Sequence, residues 1–288
     1  MTRLSDFSFN HRLRVRWVEV DAQQVVFNGH YLTYLDTAIS DYWRAVGMPY
    51  PDAFRFVRGD LFARRNMLEY HAPARLDDCL DIGIRCERIG TSSITVMWAM
   101  WAQGRLLVSG ETIYVFTHLD TGKPTPVPES VRAQLNGHAQ GLPVHAIRCG
   151  TWADVADGAQ AVRLAVFVHE QQIPEAEEWD ADDAHAVHAV VSNLAGLPLA
   201  TGRLITQGQP SGQAKIGRMA VLRCARGSGL GDKVLLALID QARLHGIAHI
   251  TLHAQVSAKG FYVRHGFKPE GDEFDEVDIP HQLMSLTL

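Results

Sequence analysis

An aspartate, a run of glycines and a tyrosine are the residues here whose types and placing could do chemistry. Asp21 stands seven residues ahead of Asn28 and just before an apolar run. Its carboxylate, with an ordinary pKa of about 3.9, is ionised near neutral pH, so it can attack an electrophilic carbon or take a proton from water. Spacing alone also fits a loop acid or turn former. Farther on, Arg226-Gly227-Ser228-Gly229-Leu230-Gly231-Asp232 joins an apolar strand pattern to an amphipathic helix pattern. Glycines let backbone N–H groups approach an anion such as a pyrophosphate, and a helix start adds positive dipole. Tyr262, beside Phe261, is a hydrogen-bond donor or a core aromatic. Six acids between Glu175 and Asp183 either attract a cation by their local field or form a solvated loop. The fourteen histidines include the close pairs His185/His188 and His249/His253, but neither pair has a carboxylate at metal-ligand spacing. The four cysteines, Cys79, Cys86, Cys149 and Cys224, form no C-x-x-C pair. No metal and no disulfide framework is expected.

These residues need elements to hold them. A strand is expected over Leu13–Val20, and then a helix from Gly29 or His30, where Tyr31, Leu35, Ala38, Tyr42 and Val46 recur at helical spacing with Leu32, Ile39 and Trp43 beside them. Gly47 and Pro49 stop it. After Arg65 the period becomes two, clearest in Leu80, Ile82, Ile84 and Cys86 and again in Ile94, Val96, Trp98 and Met100. Gly90-Thr91 and Gln103-Gly104 lie where hairpin turns are needed, and Arg105–Phe116 continues the meander. This is the outline of an α+β unit, an antiparallel sheet around a central helix. The small, polar stretch Asn136–Val144 is the linker candidate, giving domains at 1–138 and 145–288. Beyond it come a helix near Gln160–Val168, strands around Ala186–Ser192, Leu199–Thr206 and Lys215–Leu222, a helix at Asp232–His245 and a strand at Ile247–His253. That order indicates an α/β mixed sheet.

Length and composition agree with two globular domains: 288 residues, 47% hydrophobic, 20% charged, net charge −5. The acidic balance argues against a nucleic-acid partner. No apolar run reaches the roughly 18 residues that span a bilayer. The opening MTRLSDFSFNHRLRVRW lacks the apolar stretch of a secretory signal, so a cytoplasmic location without membrane attachment is expected.

The stretch W-V-E-V-D-A-Q-Q-V-V-F-N-G-H-Y-L resembles the opening of the 4-hydroxybenzoyl-CoA thioesterase family, with Asp21, Val26, Asn28 and Tyr31 in matching places, and the resemblance extends over Phe9–Arg132. It implies a hotdog fold that hydrolyses an acyl-CoA, with Asp21 acting on the thioester carbonyl and the backbone of Asn28 at the helix start stabilising the oxyanion. Glu19 and His30 could assist, packing being the commoner role for residues so placed. Gln24 departs from the family, which often has glycine there. Hotdog domains work as dimers or tetramers, so a homo-oligomer is implied.

The second half resembles the GNAT N-acetyltransferases, and its ElaA-like branch. I-G-R-M-A-V-L-R-C-A-R-G-S-G-L-G carries the R/Q-x-x-G-x-G/A signature at Arg226, Gly229 and Gly231, and A-Q-V-S-A-K-G-F-Y-V-R-H-G-F is similar to the later family element. V-F-V-H-E-Q, L-H-A-Q and I-P-H-Q-L-M extend the match over Ala146–Leu288. The resemblance implies that Arg226, Gly227, Ser228, Gly229, Leu230, Gly231 and Asp232 line the phosphates of acetyl-CoA. It also implies that Met219 and Val221 pair with the pantetheine arm, that Gln255 replaces a coenzyme-contacting asparagine, and that Tyr262 serves the departing thiolate as proton donor. The acceptor would be a small amine, with Glu170, Glu178 and His253 as candidate bases. A bifunctional coenzyme-A enzyme is thus expected, the other reading being that one domain senses acyl-CoA or assembles the protein without catalysis.

Overall fold

In the computed structural model, which describes residues 3–288, the first strand is Phe9–Arg14 (β1). The expected strand over Leu13–Val20 gives way to a 3-10 turn at Trp17–Glu19. There the Glu19 carboxylate accepts from both the amide and the Nε of Arg16, each at 2.7 Å, and curls the chain out of the sheet. A helix follows at His30–Ala45 (α1), as periodicity requires, burying Tyr31, Tyr34, Leu35, Ala38, Ile39, Tyr42 and Trp43. Leu32, placed beside that face by spacing, is exposed instead.

A short helix Asp52–Phe56 (α2) leads to strands Gly59–Tyr70 (β2), Cys79–Ile89 (β3), Ser93–Ala102 (β4) and Arg105–His118 (β5). Gln103 and Gly104, both left-handed, make the β4–β5 turn. The sheet order is β1-β3-β4-β5-β2, antiparallel throughout. Tyr42 of α1 meets Phe9 of β1 and Trp43 meets Tyr114 of β5, so the sheet lies around the helix. β2 is an edge strand whose Phe62, Met67 and Tyr70 stay exposed. A helix at Glu129–Ala139 (α3) closes this unit. It runs four residues into the stretch taken from composition as linker, because Val131, Gln134, Leu135 and Gly137 are buried.

The chain divides into two compact units, residues up to Val144 and residues from His145, Asn193–Ala195 excepted. The second begins with His145–Gly150 (β6) and Trp152–Arg163 (α4), the latter capped reciprocally by Thr151 and Asp154. A π-helical segment, Leu164–Glu170, then replaces the expected helical run to Val168. A turn of helix at Glu175–Glu178 (α5) precedes strands Val187–Asn193 (β7), Pro198–Ile205 (β8) and Gln213–Val221 (β9). The amphipathic helix is Leu230–Leu244 (α6), and it lies so close to the sheet that a Cβ at Gly202 would stand 2.8 Å from Val234 Cγ1. His249–Gln255 (β10), Lys268–Glu276 (β11) and Ile279–Thr287 (β12) complete the sheet, with Lys259–Arg264 (α7) between β10 and β11. The order is β11-β12-β10-β9-β8-β7-β6, mixed because β9 and β10 run parallel.

Candidate active sites

In the first unit the loop from Asp21 to Gly29 presents a carboxylate near a helix start. Asp21 Oδ1 accepts the amide of Gln23 at 2.8 Å, while its other oxygen meets no donor among the described residues. The Asp21 amide bonds Val25 O and the Gln24 amide bonds Asp21 O, which closes a tight turn. Gln24 carries φ 62°, the left-handed conformation for which glycine is suited. The loop therefore keeps a glycine-type backbone at a glutamine. Asn28 is exposed, and its amide and that of Gly29 have no acceptor among the described residues. Tyr70 donates to Asn28 O at 3.2 Å and steadies the peptide that presents those amides. The free N–H groups of a helix start carry partial positive charge, which suits a developing oxyanion.

Glu19 has a structural role. It is buried, bonded to Arg16 and to the hydroxyl of Tyr34 at 2.7 Å. Burial pushes its carboxyl up, but the bonds from Arg16 and Tyr34 outweigh that and leave it below the usual range. Tyr31 accepts the amide of Ala74 at 2.9 Å, so both tyrosines brace α1 against the loops. His30 lies half-buried against the Phe27 ring, edge to face, at 6.0 Å between centroids.

In the second unit the coenzyme candidates gather where two strands part. β9 and β10 pair in register from Gln213/His249 only as far as Ile216/Leu252, although β9 continues to Val221 and β10 to Gln255. Arg218, with φ 52°, sits where the β8–β9 register slips, and the slip turns the end of β9 aside. The Leu222 amide bonds Leu199 O of the β8 side, so strand alternation aims the backbone groups of Val221, and in the same phase Met219, at the opened gap. From the end of β9 the chain passes into the turn, where Gly227 and Gly229 take φ 81° and 73°. α6 then begins without a side-chain cap. The amides of Gly229, Leu230, Gly231 and Asp232 have no acceptor among the described residues, and Lys233 is the first to bond back, to Gly229 O. Four free N–H groups on a helix start carry partial positive charge and suit an anion.

Several side chains in this turn are already engaged. Arg226 grips Glu170 with two bonds of 2.7 Å and gives its Nε to Val221 O. Asp232 Oδ1 lies 2.7 Å from His265 Nε2. The Arg226 amide is engaged too, with Arg223 O at 3.4 Å, whereas the Asp232 amide is among the four left free. Gln255 bonds Gln171 Oε1 at 3.1 Å, across the mouth of the gap. Tyr262 is buried between Phe261 and Phe267, and its hydroxyl has no partner among the described residues. Burial pushes that phenol up to about 12, so it stays protonated and donates.

The acidic stretch is divided: Glu175, Glu177 and Asp182 are exposed, while the other three acids pair with arginines. Glu178 and Asp183 are buried against Arg163, and Asp183 and Asp180 also bind Arg203. Arg163 rests on the Trp152 and Trp179 rings. Burial raises the Asp183 carboxyl, and the two guanidiniums, each at 2.7 Å, overcome this and hold it low. Glu178 and Glu170 are both held in ion pairs with arginines, although burial leaves the Glu178 carboxyl raised above its usual range. His253 is different: its Nδ1 lies 2.8 Å from Glu276 Oε2, and its Nε2 has no partner among the described residues. Sequence reading did not find Glu276, since it lies on β11, whose residues are nearly all exposed and show no alternation.

Comparison with known proteins follows the same division. Residues 15–135 match the thioesterase-like superfamily and residues 155–288 the acetyltransferase (GNAT) domain. The Bacillus subtilis (strain 168) protein "Uncharacterized protein YyaT" is 34% identical over 141 residues, 48% of this chain and 92% of its own length. "Uncharacterized N-acetyltransferase YjcF" of the same organism is 35% identical over 124 residues, 43% of this chain and 86% of its own. "Acyl-CoA thioester hydrolase YbgC" of Escherichia coli O157:H7 is 29% identical over 128 residues, 44% of this chain and 95% of its own. Asp21 and Asn28 fall within the first matched region, and the glycine turn and Tyr262 within the second. The chain belongs to the GNAT family through its C-terminal half and carries a thioesterase-like hotdog domain in its N-terminal half, a fusion of two folds whose families act on coenzyme-A thioesters.

Proposed function

We propose that the chain is a bifunctional coenzyme-A enzyme, hydrolysing an acyl-CoA in domain 1–138 and moving an acetyl or other acyl group from CoA to a small amine in domain 145–288. The observation that carries this is the β9–β10 gap running into the uncapped start of α6, a strand edge and an anion site in series. A thioester with a long polar arm and a pyrophosphate needs both. Met219 and Val221 offer the edge to the arm, the turn Arg226–Asp232 cradles the phosphates with its amides, and Gln255 stands across from them. Neither site calls for a metal. Nucleic acid and membrane are no part of this reading, and the working place is the cytoplasm.

In the hydrolase, Asp21 attacks the thioester carbonyl or activates a water through its unengaged oxygen, while the Asn28 amide takes the charge that forms on the carbonyl oxygen. In the transferase, the amine nitrogen bonds the carbonyl carbon and the C–S bond breaks. Tyr262, with its phenol near 12 against a thiol near ~8.5, is the weaker acid. It therefore stabilises the departing thiolate by hydrogen bonding and relays a proton that the amine supplies. The exposed β2 edge supports a homodimer or homotetramer formed through the hotdog domain.

Thiol release from a panel of acyl-CoAs, with and without amines, tests both halves. Asp21→Asn should lower amine-independent release by about 10²-fold or more. Tyr262→Phe should lower only the amine-dependent part, with acetyl-CoA affinity kept. Release that ignores Asp21→Asn for every chain length would reduce the first domain to an acyl-CoA sensor or assembly module.

A further inference from the structure

We propose that His253, oriented by Glu276, is the general base of the transferase, and that the acceptor amine binds on the sheet face that also carries Phe274 and His281. The assignment rests on the second domain being a CoA-dependent acyltransferase and names the group that reading leaves open.

Leu252 is the last residue of β10 paired with β9, so His253 is the first residue at the apex of the gap into which the proposed thioester would insert. Ile250, Leu252 and Ala254 are buried, so Thr251, His253 and Gln255 project to the opposite face of the sheet. Their neighbours there come from every adjoining strand: Leu283 opposite His253 and His281 opposite Gln255 on β12, Phe274 and Glu276 on β11, and Lys215 opposite Thr251 on β9. The Phe274 ring stands edge to face with the imidazole at 5.0 Å and is stacked with His281 at 6.2 Å.

The pairing selects the tautomer. With Nδ1–H donated to Glu276 Oε2 at 2.8 Å, the lone pair is on Nε2, which points to no described partner and is free to accept a proton. The carboxylate then stabilises the imidazolium that results. Glu276 itself is held below the usual carboxylate range: burial raises it, but the bond to His253 and the charges of His253, His281 and Lys215 lower it more. It therefore remains an anion wherever His253 must work. His281 donates its own Nδ1–H to Ile279 O at 2.7 Å and has no carboxylate among the described residues to orient it as a base.

The step balances without further reagents. An ammonium, R–NH3+, loses one proton to His253 Nε2. The freed amine forms the C–N bond and the C–S bond breaks. The second N–H proton, shed as the amide forms, reaches the thiolate by way of the Tyr262 hydroxyl. His253 returns its proton to water.

The test uses the full chain carrying Asp21→Asn, which silences the other domain. Binding of S-ethyl-CoA, an unreactive thioether, is measured by calorimetry, and the His253 imidazole is followed by NMR, assigned with His253→Gln. Bound S-ethyl-CoA should shift that resonance, and Glu276→Gln should lower its pKa by about one unit. In acetyl transfer from acetyl-CoA, His253→Gln should cost about 10²-fold with 2-phenylethylamine, which must be deprotonated, and erase the acid limb of the pH profile. Hydroxylamine, largely uncharged near neutral pH, should lose far less. An equal loss with both nucleophiles overturns the assignment. So does a His253 resonance unmoved by bound S-ethyl-CoA, even if neither amine is acetylated. Calorimetry with Gly229→Val added separates the two domains: absence of any S-ethyl-CoA binding that this change weakens would instead remove the acyltransferase reading on which the assignment rests.

Discussion

Gln24 shows how much a single residue can carry. Its φ of 62° is a conformation that costs an L-residue with a side chain roughly 1–2 kcal/mol, yet the turn that presents Asp21 is built on it. Gln24→Gly should keep both fold and thioester hydrolysis, because glycine takes this angle freely. Gln24→Val, β-branched and worse at positive φ, should destabilise the first unit by about 1–2 kcal/mol and lower hydrolysis. Thermal unfolding and acyl-CoA turnover check the pair; a valine variant as stable and active as the parent would show that the angle is unimportant. Asp21 as a candidate came from its family setting in the sequence. Glu19 was harder to read, since only the fold shows that Arg16 and Tyr34 converge on it.

At the scale of elements, the start of α6 and the buried ion network behave oppositely toward charge. The α6 start leaves amides unpaired, and its turn depends on Gly229 at φ 73°. Gly229→Val should cut acetyl-CoA affinity by about tenfold or more, a backbone effect that calorimetry reads, while far-UV circular dichroism stays unchanged. The ion network, by contrast, has its charges already paired, with Arg163, Arg203, Glu178 and Asp183 buried. Asp183→Asn leaves Arg163 and Arg203 short of a counter-charge and should cost about 3–5 kcal/mol, read by thermal unfolding. Because the folded Asp183 carboxyl lies below its unfolded value, its contribution is fully present above the unfolded pKa of about 3.9 and fades as pH falls through the folded one. The variant should therefore differ most from the parent near neutral pH and converge on it in acid. Equal stability of the two proteins near neutral pH would sink the argument.

At the scale of the whole molecule, the two units match families that act on coenzyme-A thioesters, and each holds its own candidate site. The β2 strand, with Phe62 and Met67 exposed and only its β5 side paired among the described residues, is where a second copy would add. Replacing both with lysine should shift the mass measured by light scattering toward the monomer and leave acetyl-CoA binding by the second unit intact. An unchanged mass would place the oligomer contact elsewhere, or show that there is none.

The sequence by itself determined the two-domain plan, α1, the β3–β5 meander, the glycine turn and the helix after it. Each of these is specified locally, by a period of 2 or 3.6 or by residues that only a turn tolerates. Tertiary structure decided what depends on neighbours distant in the chain. The edge strands β2 and β11 show little alternation because their side chains are largely exposed. Within the acidic stretch, Glu178, Asp180 and Asp183 are claimed by three arginines far apart in sequence, which spacing could not separate from a cation-attracting or solvated loop. The β9–β10 gap arises from a register slip, which no residue spacing announces. His253 became distinct from Glu170 and Glu178 only when the fold placed Glu276 beside its Nδ1 and arginines beside the other two.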